Sequence, residues 1–195
     1  MAFDCGEEIV KYIAIATLLL LAAPSLRAQG NKEAPSAGAN PIVTTVRQME
    51  QRYAKNLIAA ADEMPADKYS YRPTPEQMTF AHLVMHVAQS NNFLCAAIAG
   101  EQPRAMKLGE SDSKEVLTKG LKDSFDYCQQ VLDKTDDSTL AHPATLFGGR
   151  TGTRGAALVH LSADWADHYA AAAMYLRLNN LLPPSAARRA GEPKK

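Results

Sequence analysis

The sequence predicts an all-α protein, specifically a four-helix bundle. Apolar residues recur at three- and four-residue steps in four separate segments, proline- and glycine-containing stretches divide those segments, and strand-like alternation is absent from the sequence. The 195 residues, 46% of them hydrophobic, suffice for one domain with a buried core. Helices of similar length joined by loops bury their apolar faces against one another.

The N-terminal residues 1–28 have the pattern of a secretory signal peptide. An apolar run at 12–23 follows Lys11 and precedes the sequence Pro-Ser-Leu-Arg-Ala, which predicts cleavage after Ala28. The run is too short to cross a bilayer core, which needs about 20 apolar residues. Three acidic residues before the run leave open an uncleaved anchor or a start site further downstream. We expect export, no stable membrane span, and a flexible linker at 29–41.

The first two predicted helices lie on either side of a turn-rich segment. The first begins at Ile42 and ends near Met64. Residues 65–75 contain three prolines, which exclude a continuous helix there. The second helix begins within 76–79 and ends at Gly100, the type of residue that commonly terminates helices.

Two further helices complete the predicted bundle. The third spans Ser113–Lys134, and after a loop at 136–152 the fourth extends over residues 153–180 to a pair of prolines. The bundle domain is therefore expected at 42–184. The small and basic residues 185–195 are expected to form a disordered tail.

Charge and cysteine content exclude some classes of function. The chain has 21 basic and 21 acidic residues, so no net field favours binding to nucleic acid or to an anionic membrane. No Cys-x-x-Cys motif occurs, which excludes a thiolate zinc site. Cys95 and Cys128 both fall within predicted helices, and two interpretations stay open: a disulfide between two helices, or two buried thiols.

The second and fourth helices carry a candidate metal site. Asp164 and His168 are four positions apart and share one helix face, while His86 on a neighbouring helix can reach the same point. Two imidazoles and one carboxylate suit zinc, nickel, copper, iron or manganese, and they leave coordination positions for water or substrate. His160 continues the ladder on the fourth helix, and His82 lies one turn before His86, so both are alternative ligands.

The same polar residues also admit a structural interpretation. Buried polar side chains are commonly hydrogen-bonded within the protein, and the chain would then be a metal-free binding or structural module. Trp165 and Tyr169 could line a pocket, although a role in the bundle or at a dimer interface is the simpler interpretation. Arg150 and Arg154 could meet an anionic substrate, although a solvated pair in the loop is the simpler interpretation.

Three segments carry a resemblance to a known family. They are Met-Thr-Phe-Ala-His-Leu-Val-Met-His-Val-Ala at 78–88, Thr-Arg-Gly-Ala-Ala at 153–157, and the segment 164–185, which begins Asp-Trp-Ala-Asp-His-Tyr and ends Leu-Leu-Pro-Pro-Ser. Together they resemble an exported branch of the DinB-like (damage-inducible, YfiT-like) superfamily of four-helix bundles. The resemblance covers about residues 42–185.

The resemblance implies a metal site and a dimer. Members of that superfamily usually bind a divalent metal through three histidines, one on the second helix and two spaced by four on the fourth, often as homodimers. His86 and His168 correspond to two of these ligands, and Asp164 stands in place of the third histidine. Assigned activities in the superfamily are thiol-dependent transfers or metal-dependent hydrolysis. Ala170 and Ala171 replace polar residues typical of the superfamily, which argues against retained catalysis.

Overall fold

Four long helices dominate the structure, a computed structural model that describes residues 40–191. They are α1 (Pro41–Glu63), α2 (Phe80–Ala99), α3 (Lys114–Lys134) and α4 (Arg154–Leu178). The predicted all-α four-helix bundle is therefore confirmed, with helix ends within a few residues of the predicted ones. The predicted signal peptide and nearly all of the linker lie outside the described residues.

Helix ends follow from local sequence. Thr79, Ser113 and Thr153 are the N-caps of α2, α3 and α4, and each side-chain oxygen accepts a hydrogen bond from the backbone N–H three residues later. Such caps stabilise a helix by about 1 kcal/mol each. Gly100 ends α2 with a φ of 76°, a left-handed conformation that glycine adopts without steric cost.

The core lies between the four helices. Both α1 and α2 pack against α3 and α4, so every long helix contributes to one shared apolar interior. Burying each large apolar side chain stabilises the fold by roughly 1.5–3 kcal/mol. The largest fully buried side chains are Trp165, Phe80, Phe125, Met64, Leu83, Leu94, Ile98, Leu117, Leu121, Leu132, Leu158 and Leu161.

A disulfide links α2 to α3. Cys95 and Cys128 are bonded, with their Cα atoms 5.4 Å apart, and both residues are fully buried. Of the two interpretations that the sequence left open, the structure therefore has the disulfide rather than two free thiols. The bond closes a loop across a sequence separation of 33 residues.

Two features differ from the sequence-based expectations. Strands β1 (Pro143–Thr145) and β2 (Thr151–Thr153) form an antiparallel hairpin in the loop before α4, where no strand was predicted. Three-residue strands are too short to show alternation in a sequence. The expectation of a disordered tail at 185–195 is also wrong as far as the structure describes that tail, because Pro184–Gly191 form helix α5. The Ser185 N–H donates a hydrogen bond to the Tyr169 hydroxyl, which ties α5 to α4.

In the part of the chain that the structure describes, every helix is too short or too polar to cross a bilayer.

Candidate metal centre

Three side chains converge between helices α2 and α4. His86 on α2 and Asp164 and His168 on α4 each offer one ligand atom, and these three atoms all lie within 4.8 Å of one another. All three residues are partly buried. We call this group the histidine cluster, and it consists of the three residues that the sequence predicted as a metal site.

Backbone geometry orients His168. Its Nδ1 lies 2.7 Å from the main-chain carbonyl oxygen of Asp164, one helical turn earlier, and 3.5 Å from the Oδ1 atom of the same residue. A proton on Nδ1 shared with this carbonyl leaves Nε2 as the free ligand atom. Metal-binding histidines commonly use their second nitrogen in this way.

The environment favours the neutral form of His86. Burial lowers the pKa of His86, and the nearby imidazole of His168 acts in the same direction, while the Asp164 carboxylate partly opposes them. The two rings are close, with their centroids 4.8 Å apart. The Ser90 hydroxyl lies 3.4 Å from His86 Nε2. Neutral imidazole is the protonation state that coordinates a metal ion.

The hydrogen bonding of Asp164 indicates whether a cation would fit in the histidine cluster. Its Oδ2 atom is buried and has no hydrogen-bond partner among the described residues. Burial raises the pKa of Asp164, and the adjacent imidazoles of His168 and His86, together with a hydrogen bond from the Ser90 side chain to the carboxyl group, oppose that effect. A buried carboxylate oxygen without a partner is costly, and a cation between it and the two imidazoles would remove that cost.

The spacing of the ligand atoms is compatible with one ion. Two ligands on opposite sides of a transition metal at about 2.1 Å are about 4.2 Å apart. The ligand atoms of the histidine cluster lie within 4.8 Å of one another, so binding of one ion would require side-chain rotations that draw them closer together. The donor set of two nitrogens and one oxygen is one that divalent transition metals accept.

The alternative ligands predicted from sequence do not join this cluster. His160 is exposed on α4, and the described residues that group as a possible metal site do not include it. His82 pairs with Glu110 instead, with 3.0 Å between His82 Nδ1 and the carboxylate. Thr79 donates a further hydrogen bond to Glu110. Neither His160 nor His82 therefore replaces a residue of the histidine cluster.

A shallow cavity of about 320 Å³ opens beside His168. Its walls include the apolar side chains of Met78, Leu83 and Met174, together with the acidic Asp167. Sequence reasoning did not single out the two methionines. Their flexible thioether side chains suit a surface that accepts apolar groups of varied shape.

A second polar group lies directly beside the histidine cluster and is hydrogen-bonded within the protein. Trp165 Nε1 donates to Asn91 Oδ1 at 2.6 Å, and Asn91 Nδ2 donates to Ser124 Oγ at 3.0 Å. We call these three residues the asparagine cluster. Sequence reasoning missed Asn91 and Ser124, and the structure shows that Trp165 belongs to the core of this chain.

Fold and site together define a helical bundle with a His/Asp/His candidate metal centre between two of its helices. The sequence model of the DinB superfamily matches residues 48–172. The chain therefore belongs to the DinB superfamily, as the resemblance implied. Among curated proteins, none matches the chain.

Similar solved structures share the fold at low sequence identity. A DinB-like protein from Bacillus subtilis is 19% identical, with a TM-score of 0.58, covering 70% of this chain and 92% of that one. A DinB-like protein from Bacillus cereus is 14% identical, with a TM-score of 0.60, covering 72% and 95%. A mycothiol-dependent maleylpyruvate isomerase is 17% identical, with a TM-score of 0.55, covering 66% of this chain and only 59% of the isomerase.

Proposed function

We propose that this chain binds one divalent metal ion through His86, Asp164 and His168. The observation that supports this most strongly is the convergence of one ligand atom from each of these three residues within 4.8 Å. It is reinforced by the buried Asp164 Oδ2 atom, which lacks a hydrogen-bond partner in the described residues. A purely structural cluster would satisfy this oxygen internally. Zinc, nickel, iron and manganese are the candidate ions, because all four accept mixed imidazole and carboxylate ligands.

The proposed chemistry is metal-assisted hydrolysis or a thiol-dependent transfer. The ion would supply Lewis-acid chemistry with at least one coordination position open to water or to a thiol. The cavity beside His168 would hold an apolar part of the substrate against Met78 and Met174. The thiol-dependent alternative draws support from the similar fold of the mycothiol-dependent isomerase.

We also propose export and a homodimer. Export is supported by the pattern of residues 1–28 and by the Cys95–Cys128 disulfide, because such bonds persist mainly in oxidising compartments. The homodimer is supported by exposed apolar side chains at both ends of α4, Val159 and Leu178. Sedimentation of the purified chain tests the homodimer, and a monomer mass would contradict it.

Metal analysis tests the proposed function. The chain is purified without an affinity tag, and its metal content is compared with that of His86→Ala and His168→Ala. We expect about one ion per chain in the wild type and an affinity loss of at least about 100-fold in each variant, since each removes one of three ligands.

His160→Ala is the matched control, because it removes an exposed histidine from the same helix outside the cluster. We expect wild-type metal content in this variant. Asp164→His restores the donor set typical of the superfamily and is expected to keep the ion. Equal metal content in the wild type and both ligand variants would reject the site and favour a metal-free binding or structural module.

A further inference from the structure

A second cavity lies at one end of the bundle, away from the histidine cluster. Its volume is about 270 Å³, and it lies between the end of α2, the end of α3 and the start of α4. Arg154 lines this cavity and precedes Asp164 by ten residues on α4, which corresponds to about 15 Å along the helix. The two sites are therefore separate.

Positive charge dominates the lining of this cavity. Arg104, Lys134 and Arg154 all line it, and none of them forms an ion pair with a residue that the structure describes. Glu101 contributes one carboxylate to the same lining. Three cations against one anion leave an excess of two positive charges, which matches a dianionic ligand.

Two buried polar atoms in this lining lack well-formed hydrogen bonds. Within residues 40–191, the Nε of Arg154 is buried and makes no hydrogen bond. The hydroxyl of Tyr127 is also buried and has no partner at good hydrogen-bond geometry, although the side chains of Glu101 and Arg104 lie close enough to interact with it. Tyr127 is only 4% exposed. Burial raises the pKa of Tyr127, with the charge of Glu101 acting in the same direction, so its hydroxyl stays protonated and can donate. A buried donor without a well-formed hydrogen bond is costly unless a ligand accepts from it.

Packing holds these donors in place. The Arg104 guanidinium lies over the Tyr127 ring, 3.6 Å from the ring centroid. The Arg154 guanidinium lies directly against Gly100, where a Cβ atom would come within 2.2 Å of Arg154 Nη2. Gly100 therefore makes room for the arginine as well as ending α2.

We propose that this cavity binds a small dianionic oxyanion, as a phosphate group or a compact dicarboxylate. Arg154 would donate through its guanidinium, and the Tyr127 hydroxyl would donate to a second oxygen of the same ligand. Planar guanidinium groups bind phosphate and carboxylate with paired, charge-assisted hydrogen bonds. Lys134 and Arg104 would add attraction at the mouth of the cavity.

Calorimetric titration of the full chain tests this proposal. Metal is first removed with a chelator, so that binding is independent of the histidine cluster and the two proposals fail separately. The probes are inorganic phosphate and succinate, with acetate as a singly charged comparison. We expect saturable binding of a dianion and a loss of at least about tenfold in affinity for Arg154→Gln and for Tyr127→Phe.

Tyr127→Phe is the sharper variant. It removes a hydroxyl that makes no well-formed hydrogen bond in the described residues, so the ligand-free protein should keep a stability close to that of the wild type while the ligand binds more weakly. Arg150→Gln is the matched control, because it removes the same charge from an exposed position outside the cavity, and it should bind as the wild type does.

The outcomes separate clearly. Phosphate binding and succinate binding that both depend on Tyr127 and Arg154 support the site, and their relative affinities identify the source of the dianion. The proposal is overturned if neither probe binds at millimolar concentrations. It is equally overturned if binding is unchanged in both cavity variants, or if it occurs only when metal is present.

Discussion

Two polar clusters lie side by side between α2 and α4, and they differ in how their hydrogen bonds are satisfied. In the asparagine cluster, the Asn91 amide accepts from Trp165 and donates to Ser124, and Ser124 donates in turn to a main-chain carbonyl. In the histidine cluster, directly beside it on α4, Ser90 hydrogen-bonds to the Asp164 carboxyl group, but the Asp164 Oδ2 atom has no partner in the described part of the chain. Asp164 and Trp165 are adjacent on one helix, yet the Trp165 side chain is hydrogen-bonded and one carboxylate oxygen of Asp164 is not.

This difference distinguishes polar side chains that stabilise the fold from polar side chains that are available to bind a ligand. Asn91 is completely buried and joins three helices, so its hydrogen bonds stabilise the native arrangement. The side chains of Asp164 and His168 are 14% and 12% exposed, and a cavity opens beside His168. A polar group that is left unsatisfied next to an opening is suited to bind a ligand rather than to hold helices together.

Removing the disulfide beside the asparagine cluster should cause the largest loss of stability. Cys95 lies one turn after Asn91, and Cys128 lies one turn after Ser124, so the bond supports the same helix contact. Replacing both cysteines by serine should lower the free energy of unfolding by about 4 kcal/mol, because the closed loop no longer restricts the unfolded chain. Chemical denaturation measures this, and a change below about 1 kcal/mol would contradict it.

Glu50 is a buried carboxyl group outside both clusters, and it shows how burial of such a group makes the stability of the protein depend on pH. Burial, reinforced by the charges of Asp133 and Asp126, raises the pKa of Glu50 to about 7. The folded state therefore holds a proton that the unfolded state has released, so stability is lost as pH rises from about 4.5 to about 7. Relative to Glu50→Gln, the wild type should lose about 3 kcal/mol over this interval. Parallel pH profiles of denaturation for the two proteins would contradict this assignment.

A matched pair of substitutions tests the comparison itself, with the smallest effects. Asn91→Leu should lower the free energy of unfolding by about 2 kcal/mol, because it leaves the buried Trp165 N–H without a hydrogen-bond acceptor. His86→Leu, one turn earlier on α2, should change the stability of the metal-free protein by less than about 1 kcal/mol, because no strong hydrogen bond is lost. Thermal and chemical denaturation of both variants measure this. Equal destabilisation would mean that the two clusters play the same structural role.

Much of the fold could be predicted from the sequence because its signals are local. Apolar periodicity and the capping residues Thr79, Ser113 and Thr153 define three of the helix starts. The hairpin before α4 escaped prediction because its strands have only three residues each. Helix α5 escaped because a contact with Tyr169, distant in sequence, stabilises it.

The histidine cluster could be predicted in part. The four-residue spacing of Asp164 and His168 places them on one face, as the structure shows. His160 lies eight residues before His168, and eight residues rotate by about 80° around a helix, which carries His160 to the exposed side. Sequence patterns could not assign His82 to Glu110, since that pairing depends on how the loop after α2 folds back.

Arg154 illustrates a further limit. A solvated pair with Arg150 was the simpler interpretation of the sequence, yet the structure half-buries Arg154 against Gly100. Gly100 and Arg154 are 54 positions apart in the sequence, and only the packing of α4 against the end of α2 brings them together. Long-range contacts of this kind leave no periodic signal.

Anomalous scattering from a crystal of the metal-loaded protein tests the central claim most directly. We expect one anomalous peak between α2 and α4, at a coordination distance of about 2.0–2.2 Å from His86, Asp164 and His168. A peak at another place, or no peak from crystals grown with zinc, nickel, iron or manganese, would contradict a metal centre in the histidine cluster.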